Sequence, residues 1–127
     1  MKKQSLNAPD APQPVGSYAQ AVETTGADRT LYISGQIPVT ADGKVPEDFQ
    51  SQCRLAWANV EAQLRAAGMT LDNLVKVTTF LSDRRYGLEN RAVRQAVLGD
   101  RRPALTVVIT GIFDEAWLLE IEAIAAA

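Results

Sequence analysis

The stretch FQSQCRLAWANVEAQLRAAG, residues 49–68, decides the fold, because it predicts a long helix with one apolar face. Its apolar residues recur three or four positions apart, the spacing that places side chains on one side of a helix. These residues are Phe49, Cys53, Ala56, Trp57, Val60, Leu64 and Ala67. Pro46 precedes the helix, Glu47 and Asp48 fall in its predicted first turn, and Gly68 ends it. Such a helix must pack against a second layer.

That second layer is predicted by the stretch LVKVTTFL, residues 74–81, which alternates in the manner of a central strand. A second helix is predicted from Tyr86 to Leu98, with Ser82 or Asp83 as its cap. Its apolar positions are Ala92, Val93, Ala96 and Val97, and Gly99 ends it.

The remaining segments predict four more strands. Residues 18–22 and 30–34 are expected to form a hairpin around the Gly26 turn, and residues 104–110 and 117–125 form two later strands. The order ββαβαββ predicts an α/β protein of the two-layer α+β type, with a mixed sheet and two helices on one face. We expect residues 1–127 to form one domain.

The last strand carries two carboxylates on the face turned away from the helices. Alternation places Glu120 and Glu122 on that face with Leu118 and Ile124. Apolar residues on an uncovered face favour burial against another subunit. We therefore expect an oligomer.

Composition excludes several classes of function. Hydrophobic residues make up 46% of the chain and charged residues 22%, values typical of a globular protein. The absence of histidine excludes His-based zinc sites and Ser-His or Cys-His dyads, and the single cysteine excludes an internal disulfide. We therefore expect no metal and no cofactor. Cys53 itself, on the apolar stripe, is interpreted as a core residue rather than a nucleophile.

Partners and location follow from charge and hydropathy. The net charge of −2 disfavours nucleic acid as a partner. No apolar run reaches the roughly 20 residues of a membrane span, and residues 4–15 contain no apolar segment of a secretion signal. We expect a cytoplasmic protein without a membrane partner.

Several segments together resemble the Rid/YjgF family of reactive intermediate deaminases. They are residues 16–22 (GSYAQAV), 34–38 (SGQIP), 66–68 (AAG), 75–80 (VKVTTF), 103–104 (PA) and 120–125 (EIEAIA), with Gln52, Asn59 and Asn90. The resemblance implies a chorismate-mutase-like fold and a homotrimer with three small-molecule clefts at the subunit interfaces. It also implies that the bare sheet faces line a central barrel.

The family activity implied by the resemblance is the hydrolysis of imines and enamines derived from amino acids, such as 2-aminoacrylate. In that family an arginine after Pro-Ala holds the substrate carboxylate through two hydrogen bonds. Here the residue after Pro103-Ala104 is Leu105. Leucine offers no charge and no donor, and the loss of one partner of a buried charge pair costs about 2–5 kcal/mol. We therefore expect amino-acid imines to bind poorly.

No neighbouring arginine of the chain is expected to replace the missing one. Arg101 would lie about 13 Å from position 105 along an extended strand, and Arg102 would point to the opposite face. An arginine from an adjacent subunit stays an open alternative.

Two further positions carry the candidate chemistry. Glu120 matches the family glutamate that positions or activates water, and it is the best candidate for a general acid or base in a chain without histidine. Its alternative is an interface salt bridge. Tyr18 matches the family tyrosine that contacts the ligand, although Ser17 stands where the family has proline; its alternative is an aromatic plug at the start of a strand.

Four residues are candidate ligand contacts beside Leu105, and each has a plain structural alternative. Ser34 and Gly35 fit a close approach of backbone to ligand, or a turn that ends a strand. Asn90 fits a family position, or a solvated helical asparagine. Thr106 could offer a hydroxyl, or simply be a β-branched strand residue.

Two functions stay open, with a third behind them. The chain is a hydrolase or tautomerase acting on an imine- or enamine-type metabolite without a carboxylate, with Glu120 and Tyr18 as its catalytic groups. Alternatively it is a catalytically silent trimer that binds a small molecule or regulates. Ribonuclease activity, attached to the family by name, is disfavoured by the acidic charge balance and the lack of histidine.

Overall fold

The computed structural model describes all 127 residues. It contains six strands and two α-helices. The strands are β1 (Lys2–Leu6), β2 (Ala21–Thr25), β3 (Thr30–Gln36), β4 (Leu74–Leu81), β5 (Ala104–Ile109) and β6 (Leu119–Ala126). The α-helices are α1 (Phe49–Ala66) and α2 (Gly87–Leu98), and two single 3₁₀ turns lie at Leu71–Asn73 and Arg84–Tyr86.

Four strands form the main sheet in the order β3-β6-β4-β5. The pairs β3/β6 and β4/β6 are antiparallel, and β4/β5 is parallel, so the sheet is mixed as predicted. Both helices pack on this sheet, and α1 contacts β3, β6 and α2. The architecture is the two-layer α+β arrangement of the chorismate-mutase-like fold. No helix of the structure is both long and apolar enough to span a membrane.

The predicted hairpin between residues 18–22 and 30–34 is wrong. β2 begins only at Ala21 and pairs antiparallel with β1, a strand that the sequence analysis did not predict. β3 pairs instead with β6 and contributes the buried Ile33. The physical reason is burial: β1 is fully exposed and so carries no apolar alternation to reveal it, whereas β3 gains core contacts beside β6.

α1 starts at Phe49, later than predicted, and ends at Ala66, so the predicted stripe residue Ala67 is its C-cap; the other stripe residues are buried, and Gly68 follows with φ of +70°. Asp48 lies before the first turn rather than in it. It is the N-cap, and its Oδ2 accepts a hydrogen bond of 2.9 Å from the Ser51 N–H. Cys53 is fully buried, which confirms its assignment to the core.

Two buried polar residues of α1 connect the helix to the sheet and to a loop. The Gln52 Nε2 donates to the carbonyls of Pro46 (2.8 Å) and Ala116 (3.0 Å), and its Oε1 accepts from the Leu118 N–H (2.8 Å). The half-buried Asn59 donates to the carbonyls of Ile37 and Val39. The loop after β3 and the start of β6 are therefore fixed to the same helix.

β4 has the predicted bounds, but a β-bulge after Leu74 changes its alternation. Leu74 is buried together with Val77, Thr79 and Leu81, although strict alternation places it on the opposite face. β6 keeps the predicted alternation but begins at Leu119 rather than at residue 117, and Leu118, predicted on the bare face, packs against the core. Its residues Leu119, Ile121, Ala123 and Ala125 are buried, and Glu120, Glu122 and Ile124 lie on the other face.

The buried face of α2 differs from the predicted stripe. Ala92 and Ala96 are exposed, and the buried residues of the helix are Asn90, Val93, Arg94 and Leu98. Asp83 caps the 3₁₀ turn by accepting from the Arg85 N–H, and α2 itself has no side-chain cap. Apolar periodicity failed here because two of the buried positions are polar and line a cavity.

Candidate functional site

A cavity of about 400 Å³, which we call the α2 cavity, lies between α2, β5 and the segment before β2. It contains three of the predicted site residues, Tyr18, Asn90 and Leu105. The complete lining is Val15, Tyr18, Gln20, Leu81, Arg84, Gly87, Asn90, Arg91, Arg94, Leu105, Val107 and Ile109. Half of these residues are apolar, the mixture expected of a small-molecule site.

Leu105 forms part of an apolar wall on β5. It is half-buried, pairs with Val77 of β4 and packs against the core. Val107 and Ile109 follow it at alternate positions and line the same cavity. A residue at position 105 therefore faces the cavity, and its identity sets the chemistry of this wall.

Tyr18 and Asn90 are held in place by local contacts. The Ala19 N–H donates to the Pro103 carbonyl (2.9 Å), which ties the segment around Tyr18 to the start of β5, and the Tyr18 hydroxyl accepts from the Val15 N–H (3.2 Å). Asn90 is 2% exposed and accepts a hydrogen bond from the Cys53 thiol at 3.8 Å. Its burial contradicts the alternative reading as a solvated helical asparagine.

The sequence analysis missed an arginine in this cavity. Arg94 is only 4% exposed, lines the α2 cavity with Leu105 and forms no hydrogen bond or ion pair in the chain. Burial, with a smaller contribution from the charge of Arg91, lowers the pKa of Arg94 below its usual value. The arginine that shares the cavity with Leu105 therefore comes from α2, and not from the neighbouring positions 101 and 102.

Arg94 escaped detection because only arginines close to Leu105 in sequence were considered. Arg101 instead pairs with Asp72 at 2.7 Å, and Arg102 donates to the Gly99 carbonyl, as expected of residues that do not replace the missing one. The available signal was helical spacing. Arg94 follows Asn90 by four positions, so the two residues share one side of α2, and a site at Asn90 predicts that Arg94 borders it too.

Glu120 lies outside the α2 cavity. Its carboxylate rests over the Gly35 backbone, and it lines a second cavity of about 350 Å³. The other residues of that cavity are Phe80, Thr110, Gly111, Ile112, Phe113 and Glu122. The chain by itself does not bring the proposed acid/base Glu120 together with Tyr18.

Ser34 and Thr106 also lie away from the α2 cavity. Ser34 lines a third cavity with Gln36 and Gln63. Thr106 points to the opposite face from Leu105 because the two residues are adjacent in a strand, and its Oγ1 accepts a 2.7 Å hydrogen bond from Lys76 Nζ. In this chain its hydroxyl therefore contacts a lysine of β4.

The fold and this arrangement have relatives. The family described as endoribonuclease L-PSP matches residues 8–127, and a RutC family protein of Pyrococcus horikoshii is 35% identical over 127 residues, covering 97% of each chain. The chain belongs to the Rid/YjgF family.

Two solved structures of this family show similar folds. YyfB of Yersinia pestis, described as a Rid family protein of unknown function, aligns over 100% of both chains with 25% identity and a TM-score of 0.87. Escherichia coli TdcF with bound serine aligns over 98% of both chains with 30% identity and a TM-score of 0.74. The Rid/YjgF fold of the present chain thus extends over its whole length.

Proposed function

We propose that the chain is a homotrimeric Rid/YjgF protein that binds a small metabolite in the α2 cavity and does not catalyse the standard hydrolysis of 2-imino acids. The observation that carries this proposal is where two residues lie: Leu105 is in the wall of the cavity, and Glu120 is outside it. The wall lacks the guanidinium that grips the carboxylate in the family reaction. The cavity of the single chain also lacks a carboxylate to activate water.

Arg94 does not restore the family arrangement, because it enters from the helix rather than from β5. The ligand was expected to have no carboxylate because no arginine was expected in the cavity. Since Arg94 lines the cavity, a ligand with a carboxylate is again possible. TdcF has been solved with serine, which itself carries a carboxylate. A carboxylate in the present cavity would have to be bound through α2.

The proposed trimer is supported by apolar side chains exposed outside the helical layer. Phe113 is 95% exposed, Tyr32 is 76% exposed, and the edge strand β5 exposes Val108. Exposed aromatic residues and an unpaired strand edge favour contact with another copy of the chain. Light scattering tests the assembly: we expect a mass of three chains, and a monomer mass would contradict it.

A second candidate function is a hydrolase or tautomerase acting on an imine- or enamine-type metabolite. It is favoured by Glu120, whose half-buried carboxylate faces a cavity walled by Phe80 and Phe113. A carboxylate that lines a cavity can act as a general acid or base on a bound molecule. This candidate requires turnover that Glu120→Gln abolishes, whereas a silent binding protein gives saturable binding without turnover.

Ammonia release from freshly generated 2-aminoacrylate tests the primary proposal. We expect none above the uncatalysed rate from wild type, and measurable release from Leu105→Arg if the remainder of the cavity suits the family reaction. Leu88→Arg is the matched control, because Leu88 is on α2, 80% exposed and outside the cavity. Rapid release by wild type would refute the proposal.

A further inference from the structure

Arg94 is a buried positive charge without a partner. The chain has two ion pairs, Lys44–Asp42 and Arg101–Asp72, and neither involves it. Its Nε is fully shielded from solvent and makes no hydrogen bond. Because a buried guanidinium is stable only when paired, an empty cavity leaves this charge uncompensated.

The surroundings of Arg94 supply further positive charge and no negative charge. Arg84 and Arg91 line the same cavity, and none of its twelve lining residues is aspartate or glutamate. Tyr18, Gln20 and Asn90 are its neutral hydrogen-bonding groups.

The opposite wall is apolar. Leu105, Val107 and Ile109 of β5 face the cavity together with Leu81 of β4. A volume of about 400 Å³ is at the small end of ligand sites. The cavity therefore has a cationic helix side and an apolar strand side, with space for one small molecule.

We propose that Arg94 binds the carboxylate of a small organic anion in the α2 cavity, while the apolar part of that anion packs against the β5 wall at Leu105. This inference rests on the proposed function, because it takes the α2 cavity as the ligand site. It assigns the anion-binding role to a residue of α2. In the family arrangement the guanidinium lies on the strand at the position of Leu105, whereas here that position is apolar and the guanidinium lies on the helix.

Arg94 is assigned this role rather than the other two arginines because of burial. Arg84 and Arg91 are exposed, so water already solvates their charges and screens their attraction for an anion. Arg94 is only 4% exposed before the ligand arrives, so its hydrogen bonds to an oxyanion are less screened by water. Planar guanidinium also matches the two oxygens of a carboxylate.

The test is thermal unfolding of the wild-type protein in sodium butyrate, sodium phosphate and sodium chloride at equal ionic strength. We expect butyrate to raise the unfolding temperature more than either of the other salts, because only butyrate offers both a carboxylate and an apolar chain. Because phosphate also stabilises proteins by exclusion from their surface, the comparison is made against Arg94→Met: a phosphate effect that exceeds that of butyrate and is lost in this variant would overturn the assignment of an organic carboxylate.

Arg94→Met is the decisive variant, because it keeps side-chain length while removing the charge. We expect it to unfold at a higher temperature than wild type without ligand, since an unpaired buried charge is gone. Its affinity for butyrate should fall about 30-fold or more, the lower end of the loss for a truncated buried charge pair. Arg54→Met, which removes an exposed α1 arginine outside every cavity, should respond to butyrate as wild type does.

Two outcomes would overturn the role of Arg94. Equal responses of wild type and Arg94→Met to butyrate would show that another group binds the anion. Dissociation of an Arg94→Met trimer would show that a carboxylate of another subunit is its partner.

Arg94→Lys provides a second measurement if the methionine variant does not fold: it should keep a weakened butyrate response, and an undiminished response would contradict guanidinium-specific binding. Ammonia release from 2-aminoacrylate by wild type would refute the proposed function without altering these comparisons.

Discussion

The carboxylate of Glu120 on β6 rests directly over the α-carbon of Gly35 on β3. A methyl group at position 35 would stand 2.7 Å from the Glu120 carboxyl carbon, which is closer than van der Waals contact allows. A group does lie close to the backbone at Gly35, as predicted. That group is the side chain of Glu120 rather than a ligand.

Gly35→Ala should displace Glu120 and lower the free energy of unfolding by about 1 kcal/mol, at the low end of overpacking costs because the Glu120 side chain can rotate. Gly35→Ala combined with Glu120→Ala should recover the stability of Glu120→Ala alone, because the clash is then absent. Urea unfolding of the four proteins measures the coupling. Additive effects of the two substitutions would contradict the contact.

Gln52→Ala should destabilise the protein strongly. The substitution removes three part-buried hydrogen bonds of a buried side chain and takes the partner away from the Pro46 and Ala116 carbonyls and the Leu118 N–H. Leaving even one of these groups unpaired costs about 1–3 kcal/mol. Gln63→Ala, on the exposed side of the same helix, is the control and should change the urea midpoint little. Equal midpoints for the two variants would refute the role of Gln52.

Cys53 should be unreactive in the folded protein. Burial raises the pKa of its thiol to about 12, so thiolate is scarce at neutral pH, and the sulfur has no access to solvent. A thiol reagent should label none of the native wild type and all of it in urea. Ala58→Cys adds an exposed thiol on the same helix and should label once per native chain. Labelling of native wild type would contradict this burial.

The Asp48 cap of α1 should make stability depend on pH. The hydrogen bond from Ser51 holds the pKa of Asp48 below its ordinary value of 3.8, so its stabilisation is complete above 3.8 and is lost as the pH falls through the lowered value. Asp48→Asn keeps an oxygen acceptor at every pH. The difference in unfolding temperature between wild type and Asp48→Asn should therefore shift in favour of the variant at acidic pH.

Scans from about pH 7 to about pH 3 measure this difference. Glu47→Gln is the matched control: it removes an exposed carboxylate that makes no hydrogen bond to the helix. A pH response of Glu47→Gln equal to that of Asp48→Asn would show that net charge, rather than the cap, is responsible.

Local periodicity predicted the elements that bury apolar residues. α1 and β4 formed where they were predicted, because their sequences repeat at the spacing of a helix and of a strand, and burial of those repeats selects the same conformation. Segments with little to bury were predicted poorly. β1 is exposed along its whole length and was missed, and the buried face of α2 was misassigned because it carries Asn90 and Arg94.

The candidate site shows the same division. Sequence resemblance grouped Tyr18, Asn90 and Leu105, and these three residues line one cavity. It also grouped Glu120, Ser34 and Thr106 with them. Strand pairing and alternation place those residues in other cavities or on the other face of the sheet.

The sequence by itself therefore determined the family, the helix-on-sheet architecture and the leucine at position 105, since these depend on residue identity and local spacing. Only the tertiary structure decided what surrounds that leucine. Arg94 is eleven positions away in sequence, and it reaches the same cavity because α2 packs beside β5 with its polar stripe inward. The alternation of side chains along β5 says nothing about a charge carried by α2. The burial of Arg94 without a partner follows only from how the helices and strands pack together.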